Sequence, residues 1–177
     1  MASNLEIKAV LEEKELAVAR ARLMGAHYAA TLHQVDIYFR TDRGRLKLRI
    51  IDRESAELIF YDREESADRR LSRFERLMAA DPERLRALLS AAYGIRGVVE
   101  KSRVLWMFKE TRIHFDEVKG LGAFLEIEVP VAESLEKAET TMQQLLEGFQ
   151  IAPSAYLRAS YIDLITKRVE GASEAQF

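Results

Sequence analysis

Between residues 98 and 129, charged side chains recur at every second position in three short runs. These are Lys101 and Arg103, then Arg112, His114 and Asp116, then Glu126 and Glu128. Side chains along a β-strand alternate faces, so residues two apart point the same way. In the last two runs the other face is apolar: Ile113 and Phe115, then Leu125, Ile127 and Val129. Each of those strands is predicted to carry one greasy face and one ionic face of mixed sign. Residues 4–10 repeat the pattern, with Asn4, Glu6 and Lys8 opposite Leu5, Ile7 and Ala9. So do residues 34–40, polar on Gln34, Asp36, Tyr38 and Arg40. A turn at 41–44 then leads into 45–51, where Arg45, Lys47 and Arg49 lie opposite Leu46, Leu48 and Ile50, which signals a hairpin. Residues 56–63 read as a strand ending with Tyr61 and Arg63 on one side, and 69–77 as another whose parity is open.

Helical spacing replaces alternation in three places. Residues 12–24 place Leu16, Ala19 and Leu23 on one face, and Gly25 is a stop. Asp81-Pro82 is a helix start, and 82–93 puts Leu85, Leu88 and Leu89 together. Residues 134–148 are helical with Ser134 as cap. Pro153 opens a last short element through Ile165, and 170–177 is expected to be a loose tail. Neither a linker nor a repeat interrupts this order, so residues 1–169 are expected to form one domain.

The count is eight strands and about three helices, and short links between most strands favour antiparallel neighbours. Such a sheet could show its polar face to water. It could instead close into a barrel, polar faces inward and helices on the apolar outside, which would also remove its edges. The ionic faces hold the bases Lys8, Lys47, Arg49, Arg63, Lys101, Arg103 and Arg112 and the acids Glu6, Asp116, Glu126 and Glu128. Turned inward, these charges are costly unless paired, hydrated or met by a ligand. A polyanion with a divalent cation answers both signs. The bases take phosphate oxygens, and the carboxylates take a hard metal ion.

Composition narrows the partner. A net charge of −2 and interleaved carboxylates argue against nucleic acid and an acidic membrane surface. The chain has no cysteine, which excludes disulfides and thiolate ligands and suits a cytoplasmic setting. Three histidines without close spacing do not make a zinc site. No apolar run approaches a membrane span. Whether the chain forms a homodimer is left open.

The segments LEIK, QVDIYF, GRLKLR, ELIFYDR, VEKSR, RIHFD and GLGAFLEIEV, in that order over residues 4–129, resemble the CYTH superfamily of triphosphate tunnel enzymes. SYIDLI near the end is also family-like, and the closest resemblance is to the class IV adenylyl cyclase-like branch. The resemblance implies an α+β fold, a closed eight-stranded antiparallel tunnel binding a triphosphate and one or two Mg²⁺ or Mn²⁺ ions. It implies Glu6, Glu126 and Glu128 as metal ligands, with Glu6 and Asp116 at the reacting group and Asp116 as a further acid at the metal. It implies Lys8, Lys47, Arg49, Arg63, Lys101, Arg103 and Arg112 as phosphate holders. One departure is Asn4, which stands where the family signature E-x-E-x-K begins and weakens a second metal site.

Three activities share such a site: ATP cyclisation, hydrolysis of a triphosphate (tripolyphosphate, thiamine triphosphate or a nucleoside triphosphate), and non-catalytic polyanion binding. His114 is expected to be a structural hydrogen-bonding residue, Trp106 and Phe108 to be packing, and Tyr38 and Tyr61 to make structural hydroxyl bonds. Removing Lys101 or Arg103 is expected to weaken triphosphate binding while stability holds or rises, because an inward cation loses like-charged neighbours.

Overall fold

The computed structural model describes the backbone of residues 2–63 and 70–174; the side chains of 63, 70 and 171–174 lie outside the description. The alternating segments become β1 (Ala2–Val10), β2 (His27–Phe39), β3 (Arg45–Ile51), β4 (Ser55–Arg63), β5 (Arg70–Met78), β6 (Ile95–Phe108), β7 (Thr111–Val118) and β8 (Gly122–Pro130). They close into a barrel in the order β1-β5-β4-β3-β2-β6-β7-β8, antiparallel throughout. The fold is the one expected.

The helices are α1 (Lys14–Leu23), α2 (Pro82–Tyr93), α3 (Leu135–Phe149) and α4 (Tyr161–Glu174). The apolar strand faces point outward to meet α1 and α3. Leu5 and Ile7 of β1, Ile113 and Phe115 of β7, and Leu125 and Ile127 of β8 form one core with Ala17, Met142, Leu145 and Phe149. Trp106 and Phe108 belong to it, and Trp106 meets Phe115 edge-on at 6.4 Å. A second outer core sets Leu85 and Leu89 of α2 on Ile37, Phe39 and Leu48. Ser134 caps α3 by accepting from the Lys137 amide at 3.2 Å. Ser134→Ala should therefore cost about 1 kcal/mol, read as a shift in urea midpoint; no shift would mean that the cap is idle.

Gly44 sets the β2–β3 hairpin. Its φ is +62°, and a Cβ there would lie 2.7 Å from the Phe60 ring and 2.9 Å from the Tyr61 carbonyl oxygen. The turn thereby holds Arg45, Lys47 and Arg49 in register with Tyr61, Ile59 and Glu57.

Two differences from the sequence reading matter. β2 starts at His27, seven residues before the alternation becomes clean. Those residues pair with the end of β6 across a bulge between Tyr28 and Ala30, so pairing extends the strand where the pattern is silent. The element after Pro153 is a 3-10 turn, Pro153–Ala155, followed by α4, which runs on to Glu174, beyond residue 169.

α4 does not cover the outside of the barrel. Tyr161 and Ile162 pack on Tyr38, Val99, Val118 and Phe124, residues that lie on the inward faces of β2, β6, β7 and β8. The helix corks one end. Gly97, on the inward face of β6, makes room for it: a Cβ there would meet Ile162 Cδ1 at 2.6 Å.

Candidate active site

The barrel encloses a cavity of about 260 Å³. Strand parity places Glu6, Lys8, Lys47, Arg49, Lys101, Arg103, Arg112, Glu126 and Glu128 on its wall, together with Asn4 and His114. Arg63 closes β4 opposite Ser72, and its side chain lies outside the described residues. Asp116 sits behind the wall, with its side chain fully buried.

The buried charges are paired among themselves. Arg103 donates Nε to Asp116 Oδ1 and Nη2 to Asp116 Oδ2, both at 2.6 Å, and the same Nη2 reaches Glu126 Oε2 at 2.6 Å. A two-pronged guanidinium–carboxylate pair of this kind is strong and directional. Tyr161 donates its hydroxyl to Asp116 Oδ2 at 2.9 Å. Lys8 Nζ lies 3.5 Å from Glu126 Oε1 and 3.7 Å from the centre of the Tyr161 ring. Burial pushes the Asp116 carboxyl up, but Arg103 and Lys101 outweigh it and hold it at about 2. Burial likewise opposes Lys8 and Arg103 at Glu126, whose carboxyl they hold well below the ordinary range.

A second cluster centres on Asp36, which the alternation places on the polar face of β2 and which lies outside the set of site residues expected from the sequence. It is 1% exposed. Arg49 donates Nε and Nη2 to its two oxygens at 2.7 and 2.8 Å, Lys47 donates at 2.9 Å, and Lys101 lies at 3.8 Å. The same period-two parity that selected Gln34 and Tyr38 could have selected it. Tyr161 escapes the sequence for a different reason: SYIDLI stands out only as a family-like segment, and nothing local says that it corks a barrel. Glu57 and Arg76 also reach the wall unannounced, 3.8 Å apart.

Lys101 bridges the two clusters, 3.9 Å from Asp116 and 3.8 Å from Asp36. Burial, then the neighbouring Arg103 charge, pulls its ammonium down to about 7 despite both carboxylates. In an unfolded chain a lysine stays protonated to about pH 10.4. Between those two values the unfolded state binds more protons, so stability rises with pH. Wild-type protein should therefore gain stability from pH 7 to 9, and Lys101→Met should lose most of that gain. Urea midpoints at the two pH values test it, and parallel changes in both proteins would refute it.

His114 is buried and lines the cavity. Burial and then Arg103 push its pKa down, so it is neutral near pH 7. Its Nε2 lies 3.4 Å from Glu128 Oε2, yet neither ring nitrogen makes a well-formed hydrogen bond among the described residues. The structural hydrogen bond expected of it is thus at best a long contact. Tyr38 and Tyr61 do meet, hydroxyl to hydroxyl, at 3.5 Å.

Glu6 is in register with Glu128, and Lys8 with Glu126, across the β1–β8 pair. Among the described residues no three carboxylate or imidazole groups converge into a ready metal cage. Glu126 is turned onto Lys8 and Arg103 instead. A small hard cation is nonetheless commonly held by one or two carboxylates plus substrate phosphate oxygens. The facing pair Glu6 and Glu128, with the neutral Asn4 next along β1, has the right donor chemistry for one such ion.

Known proteins share this architecture. A Methanocaldococcus jannaschii protein provisionally named an adenylate cyclase is 26% identical over 174 residues, covering 91% of this chain and 97% of its own. The structure of the PH1012 protein of Pyrococcus horikoshii OT3 superposes with a TM-score of 0.81 at 19% identity, over 91% of this chain and 98% of that one. A Hippeastrum protein, provisionally an adenylyl cyclase and described as having a dominant triphosphatase activity, has a TM-score of 0.65 at 16% identity, over 93% and 95%. The CYTH domain profile matches residues 2–161, and with the closed barrel and its charged interior this establishes that the chain belongs to the CYTH family.

Proposed function

We propose that the protein is a metal-dependent enzyme acting on a triphosphate, and that the reaction is cyclisation of ATP to cyclic AMP and pyrophosphate. The carrying observation is a closed tunnel whose inward positions place Lys8, Lys47, Arg49, Lys101, Arg103 and Arg112 around one small cavity. Six cations from four strands suit a compact polyanion, since each phosphate oxygen then meets a charge-assisted donor. The carboxylates that now pair with these bases would be exchanged for phosphate oxygens, which frees Glu126 to face the same ion as Glu6 and Glu128. Glu6, Glu126 and Glu128 would hold a Mg²⁺ or Mn²⁺ ion, which when bound would supply Lewis-acid activation of the ribose 3′-hydroxyl and charge neutralisation at the phosphates. Asp116 is better cast as a positioning residue: Arg103 and Tyr161 occupy its oxygens. A chain without cysteine suits the cytoplasm, and we place it there.

The order of residues along the tunnel favours cyclisation over hydrolysis. From the corked end outward, β8 presents Phe124, Glu126 and Glu128, β1 presents Lys8 and Glu6, and β6 presents Val99, Lys101, Arg103 and Leu105. Lysines therefore lie deep, and the facing pair Glu6 and Glu128 lies nearer the open end. A triphosphate entering terminal phosphate first puts its α-phosphorus, not its γ-phosphorus, closest to those glutamates. Pyrophosphate would then leave from the lysine-rich depth, its charge already matched.

Triphosphate hydrolysis is the second reading, and the Hippeastrum relative's described activity is what favours it. Product analysis separates the two. Incubation of ATP with Mn²⁺ or Mg²⁺ is expected to yield cyclic AMP and pyrophosphate, and 3′-deoxy-ATP should yield no pyrophosphate because it lacks the nucleophile. Orthophosphate from ATP or tripolyphosphate, with 3′-deoxy-ATP consumed as fast as ATP, would establish the hydrolase. Tight binding without turnover would leave a polyanion-binding module.

A further inference from the structure

The inward faces of three adjacent strands each turn from polar to aliphatic in the same direction along the barrel, on successive diagonal rungs. β3 runs Lys47, Arg49, Ile51; β6 runs Lys101, Arg103, Leu105; β2, read in the same direction, runs Asp36, Gln34, Leu32. Ile51 is the last residue of β3 and is in register with Gln34, while Leu32 is in register with Arg103 and so diagonal to Leu105. All three aliphatic side chains are half-buried and line the cavity. They lie at the end of the barrel opposite Tyr161, because the strand ends that α4 corks are the far ends of β2 and β6. The open mouth therefore has a greasy wall, whereas the middle of the same strands carries Arg49, Asp36, Lys101 and Arg103.

Gln34 stands where the two environments meet. It is 3% exposed and lines the cavity, and its side-chain oxygen has no hydrogen-bond partner among the described residues. Leaving a buried amide oxygen unpaired is costly, so an occupant that supplies an N–H is favoured there. An inorganic polyphosphate supplies none, and it gains nothing from Leu32, Ile51 and Leu105. A nucleobase does both. It is flat, its faces are apolar, and its edge sets amino donors beside ring acceptors, the pairing that a glutamine amide meets with two hydrogen bonds.

Resting on the tunnel reading above, we propose that the mouth formed by Leu32, Ile51, Leu105 and Gln34 is a nucleobase subsite. The substrate is accordingly a nucleoside triphosphate, adenine-bearing in the reaction proposed, and not free tripolyphosphate. The phosphates run inward past Arg103 to the lysines, and the base stays against the aliphatic wall with its edge on Gln34.

The test compares ATP with tripolyphosphate. Each is titrated by calorimetry into wild-type protein, Leu32→Ala and Gln34→Leu, with EDTA present so that turnover stops. Circular dichroism confirms that each variant is folded. The dissociation constant for ATP should rise about tenfold in each variant, while that for tripolyphosphate stays within twofold. Equal weakening of both ligands, or unchanged ATP affinity in both variants, would overturn the subsite while leaving the tunnel reading intact. Wild-type protein that binds neither ligand would overturn the tunnel reading itself, and the subsite with it.

Discussion

Arg103→Ala is expected to cost about 3–5 kcal/mol of stability, the range for removing one partner of a buried ion pair, and to abolish tight triphosphate binding. Arg103 is 4% exposed and supplies three hydrogen bonds, two to Asp116 and one to Glu126. Truncation leaves both carboxylates in the barrel. Asp116 keeps the Tyr161 hydroxyl and a lysine at 3.9 Å, and Glu126 keeps Lys8 at 3.5 Å. Neither arrangement replaces a two-pronged guanidinium. This reverses the expectation from sequence that losing an inward cation would hold or raise stability. That expectation weighed like-charge crowding, whereas the pairing shows attraction to be the larger effect at Arg103. It survives at Lys101, whose charge burial and Arg103 already disfavour.

The penalty has a pH signature. In the wild type Arg103 holds the Asp116 carboxyl at about 2, below its unfolded value near 3.9. That stability is present above pH 4 and is lost as pH falls toward 2. Without Arg103 the carboxyl pKa moves up, so the gap between wild type and variant should be widest near neutrality and shrink in acid. Urea denaturation at pH 7 and pH 2.5 measures both quantities. A variant within 1 kcal/mol of wild type at pH 7 would refute the pairing argument. Arg103→Lys keeps the charge but not the fork, and should fall between the two.

Glu126→Gln and Glu128→Gln are expected to reduce divalent-dependent turnover by more than about 100-fold, since residues that merely orient ligands already cost 10–100-fold when removed. Both substitutions keep volume and shape, so the barrel should fold. Arg103 retains Asp116 in Glu126→Gln, and Arg112, 3.9 Å from Glu128 and 40% exposed, can turn to water in Glu128→Gln. Mn²⁺ binding in the presence of tripolyphosphate, followed by electron paramagnetic resonance, should weaken in parallel with turnover. A variant that keeps full activity and Mn²⁺ affinity would remove that glutamate from the metal site. Lost activity with unchanged Mn²⁺ affinity would assign the residue to substrate positioning.

Period-two alternation carried most of the wall. Lys47 and Arg49, Lys101 and Arg103, and Glu126 and Glu128 all project into the cavity because a residue's face in a strand is decided by parity, a strictly local property. The same property placed Leu125 and Ile127 on the outside under α3. Closure followed less directly, from too many two-faced strands for an open sheet to hide. Parity says which way a side chain points, but not what it meets there. The partners of Arg103 come from β7 and β8, and those of Lys101 from β2 and β7, so the balance of pairing over repulsion had to await the barrel. Asp36 illustrates the same limit: one acid in an otherwise neutral stretch becomes the centre of three cations once β3 and β6 flank β2. The cork is beyond local reach altogether. Tyr161 lies 45 residues from Asp116, and only packing on the inward residues of four strands brings its hydroxyl to that carboxylate. Direction along a strand is written in nearest neighbours, whereas pairing, depth and a closed end are properties of segments that meet in space.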